Sequence, residues 1–99
     1  MHTSLAIKHD FDNKVFFEEL KTGVAYLKYE RPAKELLDLR RTFVPFGSRH
    51  IGIASRLAKY VLDYALAGGY RVIVTCPFVS DFIEKHPTYR QALDDKDKD

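Results

Sequence analysis

Residues 49–62, RHIGIASRLAKYVL, place a basic pair and a lone glycine ahead of an amphipathic helix. From Ile51 onward Ala54, Leu57, Ala58, Val61, Leu62, Ala65 and Leu66 recur at three- and four-residue steps, while Arg56, Lys59 and Asp63 fall mostly elsewhere. The spacing predicts one helix of about four to five turns, stopped by Gly68-Gly69 in the manner of a left-handed C-cap. The run YRVIVTC after it is continuously apolar, the mark of a strand covered on both faces. Another extended run, ELLDLRRTFVP, precedes it, so strand, helix and strand form a crossover whose two strands lie parallel, with a right-handed connection.

Upstream, SLAIKHD, KVFFEEL and VAYLKYER read as three further strands, parted by the turn signals Asp12-Asn13, Thr22-Gly23 and Pro32. These four N-terminal strands form an antiparallel meander, and the whole is an α/β fold (an α+β mixed sheet). Strict alternation in the fourth run puts Leu37, Leu39, Arg41 and Phe43 on one face and Asp38, Arg40, Thr42 and Val44 on the other, an odd place for Arg41. Downstream, PFVSDFIEKH reads as a second short helix with Pro77 at its first position and Cys76 near its N-cap. PTYRQAL adds one more turn, and the charged run DDKDKD reads as a solvated tail, so the expected organisation is a single domain over 1–93 and a disordered tail over 94–99.

With 99 residues, of which 45% are hydrophobic, the chain suits one compact core and has no room for a second. Its formal charge of +2, with basic residues spread along the chain, argues against nucleic acid as a partner. One cysteine excludes an internal disulfide, and the four histidines show no metal-ligand spacing, so no metal is expected. No stretch approaches a membrane span and MHTSLAIKHD lacks the apolar segment of a signal peptide, which makes no membrane partner and a cytoplasmic location the expectations. An exposed edge strand in a small sheet is compatible with a monomer or a weak homodimer.

A helix start carries N–H groups without intrahelical partners and partial positive charge, so Arg49-x-x-Gly52-x-Ala54 between a strand and a helix is a plausible phosphate site. It is neither a Walker A loop nor a dinucleotide G-x-G-x-x-G. The plainer reading is a helix start with an exposed arginine. The pattern [Q/R]-x-x-G-x-[G/A] is the one that wraps the pyrophosphate of coenzyme A in GCN5-related N-acetyltransferases, and the segments TFVP, GIAS, CPFV and EKHP follow in order along residues 40–89. Together they resemble the small branch of that family, over about residues 36–93 and more loosely over the meander.

The resemblance implies a minimal acetyltransferase fold that binds acetyl-coenzyme A, or coenzyme A, where the strands flanking the crossover splay apart. It implies that the backbone of Phe43 and Val44 pairs with the pantetheine arm, and that Arg49, His50, Ile51, Gly52, Ile53, Ala54 and Ser55 hold the pyrophosphate. It implies acetyl transfer to an amine acceptor, small molecule or protein, that the sequence does not identify. A coenzyme A-binding or interaction module without turnover is the alternative.

Cys76 is the first catalytic candidate, since a helix N-terminus lowers a thiol pKa and a cysteine here has been proposed to take the acetyl group in the family; the alternative is a buried thiol acting as a small hydrophobe. Direct transfer needs no cysteine, only a route for protons, for which His86, Tyr89, or a water on Asp38 or Glu84 are candidates. Against these stand a locally bonded helix-ending His86 and a packing Tyr89. Many relatives carry histidine where this chain has Arg41, and arginine does not exchange protons near neutral pH. Arg41 then attracts an acidic substrate group or the coenzyme phosphates, or snorkels to water.

Overall fold

The computed structural model describes residues 6–49 and 52–94. A five-stranded sheet runs β1 (Ile7–Asp10), β2 (Val15–Leu20), β3 (Gly23–Ala33), β4 (Leu36–Phe43) and β5 (Arg71–Val74), in that order across the sheet. The first four strands are antiparallel neighbours and β5 lies parallel to β4, the mixed sheet that the crossover requires. Helix α1 (Ile53–Gly68) makes the crossover, and α2 (Pro77–Lys85) and a 3₁₀ turn (Pro87–Ala92) complete the chain.

Pro32 does not turn the chain. β3 runs through it to Ala33, because Arg31 and Pro32 together oppose Leu37 in a bulge, where a residue without an N–H is tolerated. The turn falls at Lys34-Glu35 instead, and Arg31 clips it shut by donating from Nε and Nη2 to the Lys34 carbonyl at 3.1 and 2.7 Å.

One face of the sheet carries the core. Phe16, Leu27, Tyr29, Leu37, Leu39 and Val72 project from it and are buried against Ile53, Leu57, Val61 and Leu62 of α1 and Val79, Phe82 and Ile83 of α2. α1 starts two residues later than the periodicity suggests, and Leu66 is exposed although it shares the apolar spacing. Gly69 ends α1 with φ +76°, and the Tyr70 N–H donates to the Ala65 carbonyl at 2.9 Å, the expected left-handed cap. Arg56, assigned by periodicity to the solvent side, turns inward: its Nη2 donates to both carboxylate oxygens of Glu18 on β2, at 2.7 and 2.8 Å. Arg56 is thus committed to Glu18, as Arg40 is paired to Asp38.

The opposite face bears Val15, Phe17, Tyr26, Lys28, Glu30, Asp38 and Ile73, none buried, and no described helix covers it. β5 is therefore covered on one face only: Val72 is in the core while Ile73 is half-buried. Its outer edge receives the chain end, where Leu93 bridges Val72 and the Asp94 N–H donates to the Val72 carbonyl at 2.8 Å. The expected tail thus begins after Asp94 at the earliest; residues 95–99 lie outside the described residues. No described helix is long and apolar enough to cross a membrane.

His9 on β1 closes the core at the far edge, stacked on Phe16 at 3.9 Å between ring centroids and bonded through Nε2 to the Tyr29 hydroxyl at 2.6 Å. Burial, aided by Tyr64 and Tyr70, pushes the Tyr29 phenol up to about 12, so it stays protonated beside His9. Burial also lowers the His9 pKa from 6.5, against an opposing pull from Asp10. The unfolded chain therefore binds the proton first, and the stability that neutral His9 contributes is present above the ordinary histidine value and lost as pH falls through the lower, folded one. Thermal melts between about pH 7 and 5.5 should show a falling Tm for the wild type and a flatter line for His9→Gln; parallel lines would remove His9 as the cause.

Candidate active site

β4 and β5 pair only from Leu36↔Arg71 to Leu39↔Val74. At that point the Thr75 and Cys76 N–H groups both donate to the Leu39 carbonyl at 2.9 Å, and Pro77, which has no N–H, starts α2. β4 continues to Phe43 with no β5 partner beyond Leu39. Its opposite edge shows why the two strands part: Lys28 faces Arg41 while Tyr29 faces Leu39, so Arg40 is an extra residue. Such a bulge bends the strand and increases its twist. It also shifts the alternation by one. Arg41 and Phe43 therefore lie on the open face, and Thr42 and Val44 share the face of Leu37 and Leu39, the reverse of the strict-alternation expectation.

The gap is a cleft of about 260 Å³ lined by Thr42, Phe43, Val44, Arg49, Ala54 and Phe78. Thr42 and Phe43 come from the end of β4, Val44 and Arg49 from the connection after it and Ala54 from the start of α1; Phe78 comes from the first turn of α2. Arg49 is anchored at its mouth, with Nε donating to the Val44 carbonyl at 2.9 Å and its guanidinium carbon 5.9 and 5.7 Å from the Phe43 and Phe46 ring centroids. Phe46 is 84% exposed, so this arrangement holds an aromatic ring and a cation together in solvent beside the cleft.

Gly52 is the N-cap of α1 at φ +80°, ψ +13°, a left-handed conformation that a glycine adopts without strain. A Cβ there would meet nothing within 4 Å, so open space lies in front of it. Its carbonyl accepts the first hydrogen bond of the helix, from the Arg56 N–H at 3.0 Å. Ile53 is buried and does not line the cleft; Ala54 is half-buried in the lining and Ser55 is exposed. His50 and Ile51, also expected at this loop, lie outside the described residues.

The catalytic candidates are not brought together. Cys76 is the N-cap of α2 as expected, but it is 3% exposed and does not line the cleft; its Sγ lies 3.4 Å from the Thr42 hydroxyl. His86 ends α2, stacked on Phe82 at 4.2 Å with Nδ1 donating to the Phe82 carbonyl at 2.9 Å. It therefore sits at the opposite end of α2 from Phe78, about 12 Å along the helix axis. Tyr89 donates to Asp63 Oδ1 at 2.7 Å and ties the last turn to α1; burial and then that bond raise its pKa. Asp38 accepts from the Thr75 hydroxyl at 2.7 Å and from Arg40 at 2.9 Å, and Glu84 is exposed on α2. No described cluster of three or more His, Cys, Asp or Glu side chains could hold a metal ion.

A second depression, a basin of about 390 Å³, lies on the open face against the same end of β4, lined by Lys28, Glu30, Arg40, Arg41 and Thr75. Sequence reasoning missed this basin, as it missed Thr42 and Phe78. Of its lining, Arg41 had attracted notice, through its apparent position among apolar residues and its place where many relatives carry histidine.

A strand freed by a bulge, running into a helix that starts at a left-handed glycine, is matched at the sequence level: the family model described as GCN5-related N-acetyl-transferase covers residues 15–93. The chain belongs to the GCN5-related N-acetyltransferase family. Among curated members it is similar to Protein NATD1 of Bos taurus, 34% identical over 85 residues, spanning 84% of this chain and 75% of that one. It is also similar to Protein NATD1 of Danio rerio, 30% identical over 95 residues, spanning 92% and 86% of the two chains. The solution structure of a GCN5-like protein from Staphylococcus aureus has the same fold, with a TM-score of 0.66 at 20% identity over 93% of this chain and 90% of that one. The family match takes in β2 through Leu93, a longer span than the segments that carried the resemblance, and leaves out β1.

Proposed function

We propose that this GCN5-related N-acetyltransferase transfers an acetyl group from acetyl-coenzyme A to an amine, with the cofactor held in the cleft between β4 and α2. The observation that carries the reading is the freed end of β4 running directly to the left-handed N-cap of α1, with open space in front of Gly52. The backbone of Phe43 and Val44 would pair with the pantetheine arm like an added strand, and the 49–55 segment would hold the pyrophosphate through backbone N–H groups and the Arg49 guanidinium. Acetyl-coenzyme A supplies an activated thioester when bound. The chain would contribute position, backbone N–H groups of the unpaired end of β4 as donors where negative charge develops, and a cation anchored at the mouth.

Burial of Cys76 favours direct transfer over an acetyl-cysteine route. Cys76→Ala should retain acetyl transfer while losing on the order of 1 kcal/mol of stability from its core position, and intact-mass measurement after incubation with acetyl-coenzyme A should find no adduct. An acetyl group on Cys76 would sink the direct route.

A non-catalytic coenzyme A-binding module is the second reading, favoured by one observation: none of the described side chains lining the cleft is a histidine, cysteine or carboxylate. Calorimetric titration with coenzyme A and acetyl-coenzyme A, with adenosine diphosphate as the partial ligand, tests both. Micromolar binding supports the cleft, and acetyl transfer to amines then separates enzyme from binding module. No binding to the folded protein would leave the 49–55 segment as a helix start alone.

A further inference from the structure

We propose that the basin on the open face of the sheet is the acceptor subsite and that it selects a small amine bearing an anionic group, carboxylate or phosphate. The inference rests on the acetyltransferase reading and names its substrate class. The carrying observation is a violation of strand-pairing chemistry: Lys28 on β3 and Arg41 on β4 are direct partners across the antiparallel ladder, on the same open face. Directly opposed side chains sit with Cβ atoms about 5 Å apart, and like charges in that position destabilise a sheet. Local rules are broken in this way mainly where function requires it.

The surroundings leave the charge of the two cations only partly balanced. Lys28 donates to a neutral group, the Asn13 carbonyl, at 2.6 Å. Arg41 has no hydrogen bond or ion pair among the described residues. Of the two carboxylates nearby, Asp38 is taken by Arg40 and Thr75, while Glu30 lines the basin with Lys14 4.0 Å away, so the lining sets Lys28, Arg40 and Arg41 against one carboxylate. A depression of about 390 Å³ has the volume of a small-molecule site. With three cations and one carboxylate in its lining, it is matched by one or two anionic oxygens, which would also relieve the repulsion between Lys28 and Arg41.

Its location supplies the reason for an amine on the same molecule. Arg41 precedes Thr42, Phe43 and Val44, which line the cofactor cleft, so basin and cleft meet across the unpaired end of β4. Arg41 and Val44 are three residues apart, about 10 Å along a strand, a distance that the arginine side chain and a few bonds of ligand can span. An acid group held by Lys28 and Arg41 would leave the amine of the same small molecule facing the cleft.

The test uses two matched pairs of probes, glutamate against glutamine and phosphoethanolamine against ethanolamine, titrated into the full chain saturated with coenzyme A and, separately, assayed for acetyl transfer with acetyl-coenzyme A as donor. The anionic member of at least one pair should bind about tenfold more tightly than its neutral partner; which pair responds distinguishes carboxylate from phosphate. Arg41→Gln and Lys28→Gln should each collapse that preference, Arg41→Lys should keep most of it, and neither glutamine variant should lower Tm, since each relieves a like-charge repulsion. Equal binding of anionic and neutral probes overturns the proposal. A coenzyme A affinity that falls in Arg41→Gln also overturns it, by assigning the basin to the cofactor. If the anionic preference is found without acetyl transfer, the anion subsite stands and the enzymatic reading fails. If coenzyme A does not bind, the cofactor reading fails, and the same titrations without it decide the anion subsite.

Discussion

Deleting Arg40 is expected to abolish coenzyme A binding, a loss of at least about a hundredfold, in a protein that still folds. Tyr29↔Leu39 and Lys28↔Arg41 are consecutive partners on β3 but not on β4, and the deletion makes them consecutive on both. Every side chain then keeps its face: Leu39, Thr42 and Val44 stay toward the helices, Arg41 and Phe43 stay on the open side. The deletion breaks the half-exposed ion pair with Asp38, an interaction of the kind worth about 1 kcal/mol or less. What changes is the course of the strand. Without the extra residue β4 loses the local bend and twist that carry it away from Thr75 and Cys76, and its edge groups close toward the start of α2.

Thermal melting and calorimetric titration of the deletion variant separate the two effects. A Tm within a few degrees of wild type with no detectable binding is the expected pair of results. A deletion of Asp38 serves as contrast, since it puts Leu37 and Leu39 on opposite faces and should cost the fold itself. Undiminished binding in the Arg40 deletion would mean that Pro77 and α2 alone open the cleft and that the bulge is incidental to it.

That bulge also marks where the sequence stops being readable. The meander, the crossover, α2 with Cys76 at its N-cap and the glycine cap of α1 all follow from spacing and turn chemistry, because those signals are local. In LLDLRRTFV, alternation reads equally well with or without an inserted residue, and only the partner strand decides which applies. Pro32 carries the same ambiguity, since proline serves turns and bulges alike. Arg56 reads as a surface residue on its own helix and becomes interior only because Glu18 waits on β2, 38 positions away in sequence. The pattern at Arg49, Gly52 and Ala54 was legible as a motif, whereas the basin was not: it joins β3, β4 and the end of β5, and no single stretch of chain contains it.

The second large effect concerns two glycines that the backbone treats alike. Gly52 and Gly69 bound the same helix, at φ +80°, ψ +13° and φ +76°, ψ +19°, and a Cβ at either would meet nothing within 4 Å. Alanine in this left-handed conformation costs about 1–2 kcal/mol of strain at each position, partly offset by the smaller entropy of its unfolded chain. Gly52→Ala and Gly69→Ala should therefore lower stability by similar amounts, about 1 kcal/mol. Their effects on coenzyme A should differ. Relaxing residue 52 toward a right-handed conformation rotates the peptide planes that present N–H groups at the start of α1, and charge-assisted hydrogen bonds are worth about 1.5–3 kcal/mol each. Gly52→Ala should weaken coenzyme A tenfold or more, and adenosine diphosphate with it because the pyrophosphate is the affected group; Gly69→Ala should leave both affinities within about twofold. If the two variants lose affinity equally, the helix as a whole, and not the phosphate grip at its first turn, governs binding. If neither does, Gly52 is there only to let the chain enter α1. The comparison holds strain constant and moves it from one end of α1 to the other, so a difference in affinity can come only from what lies in front of Gly52.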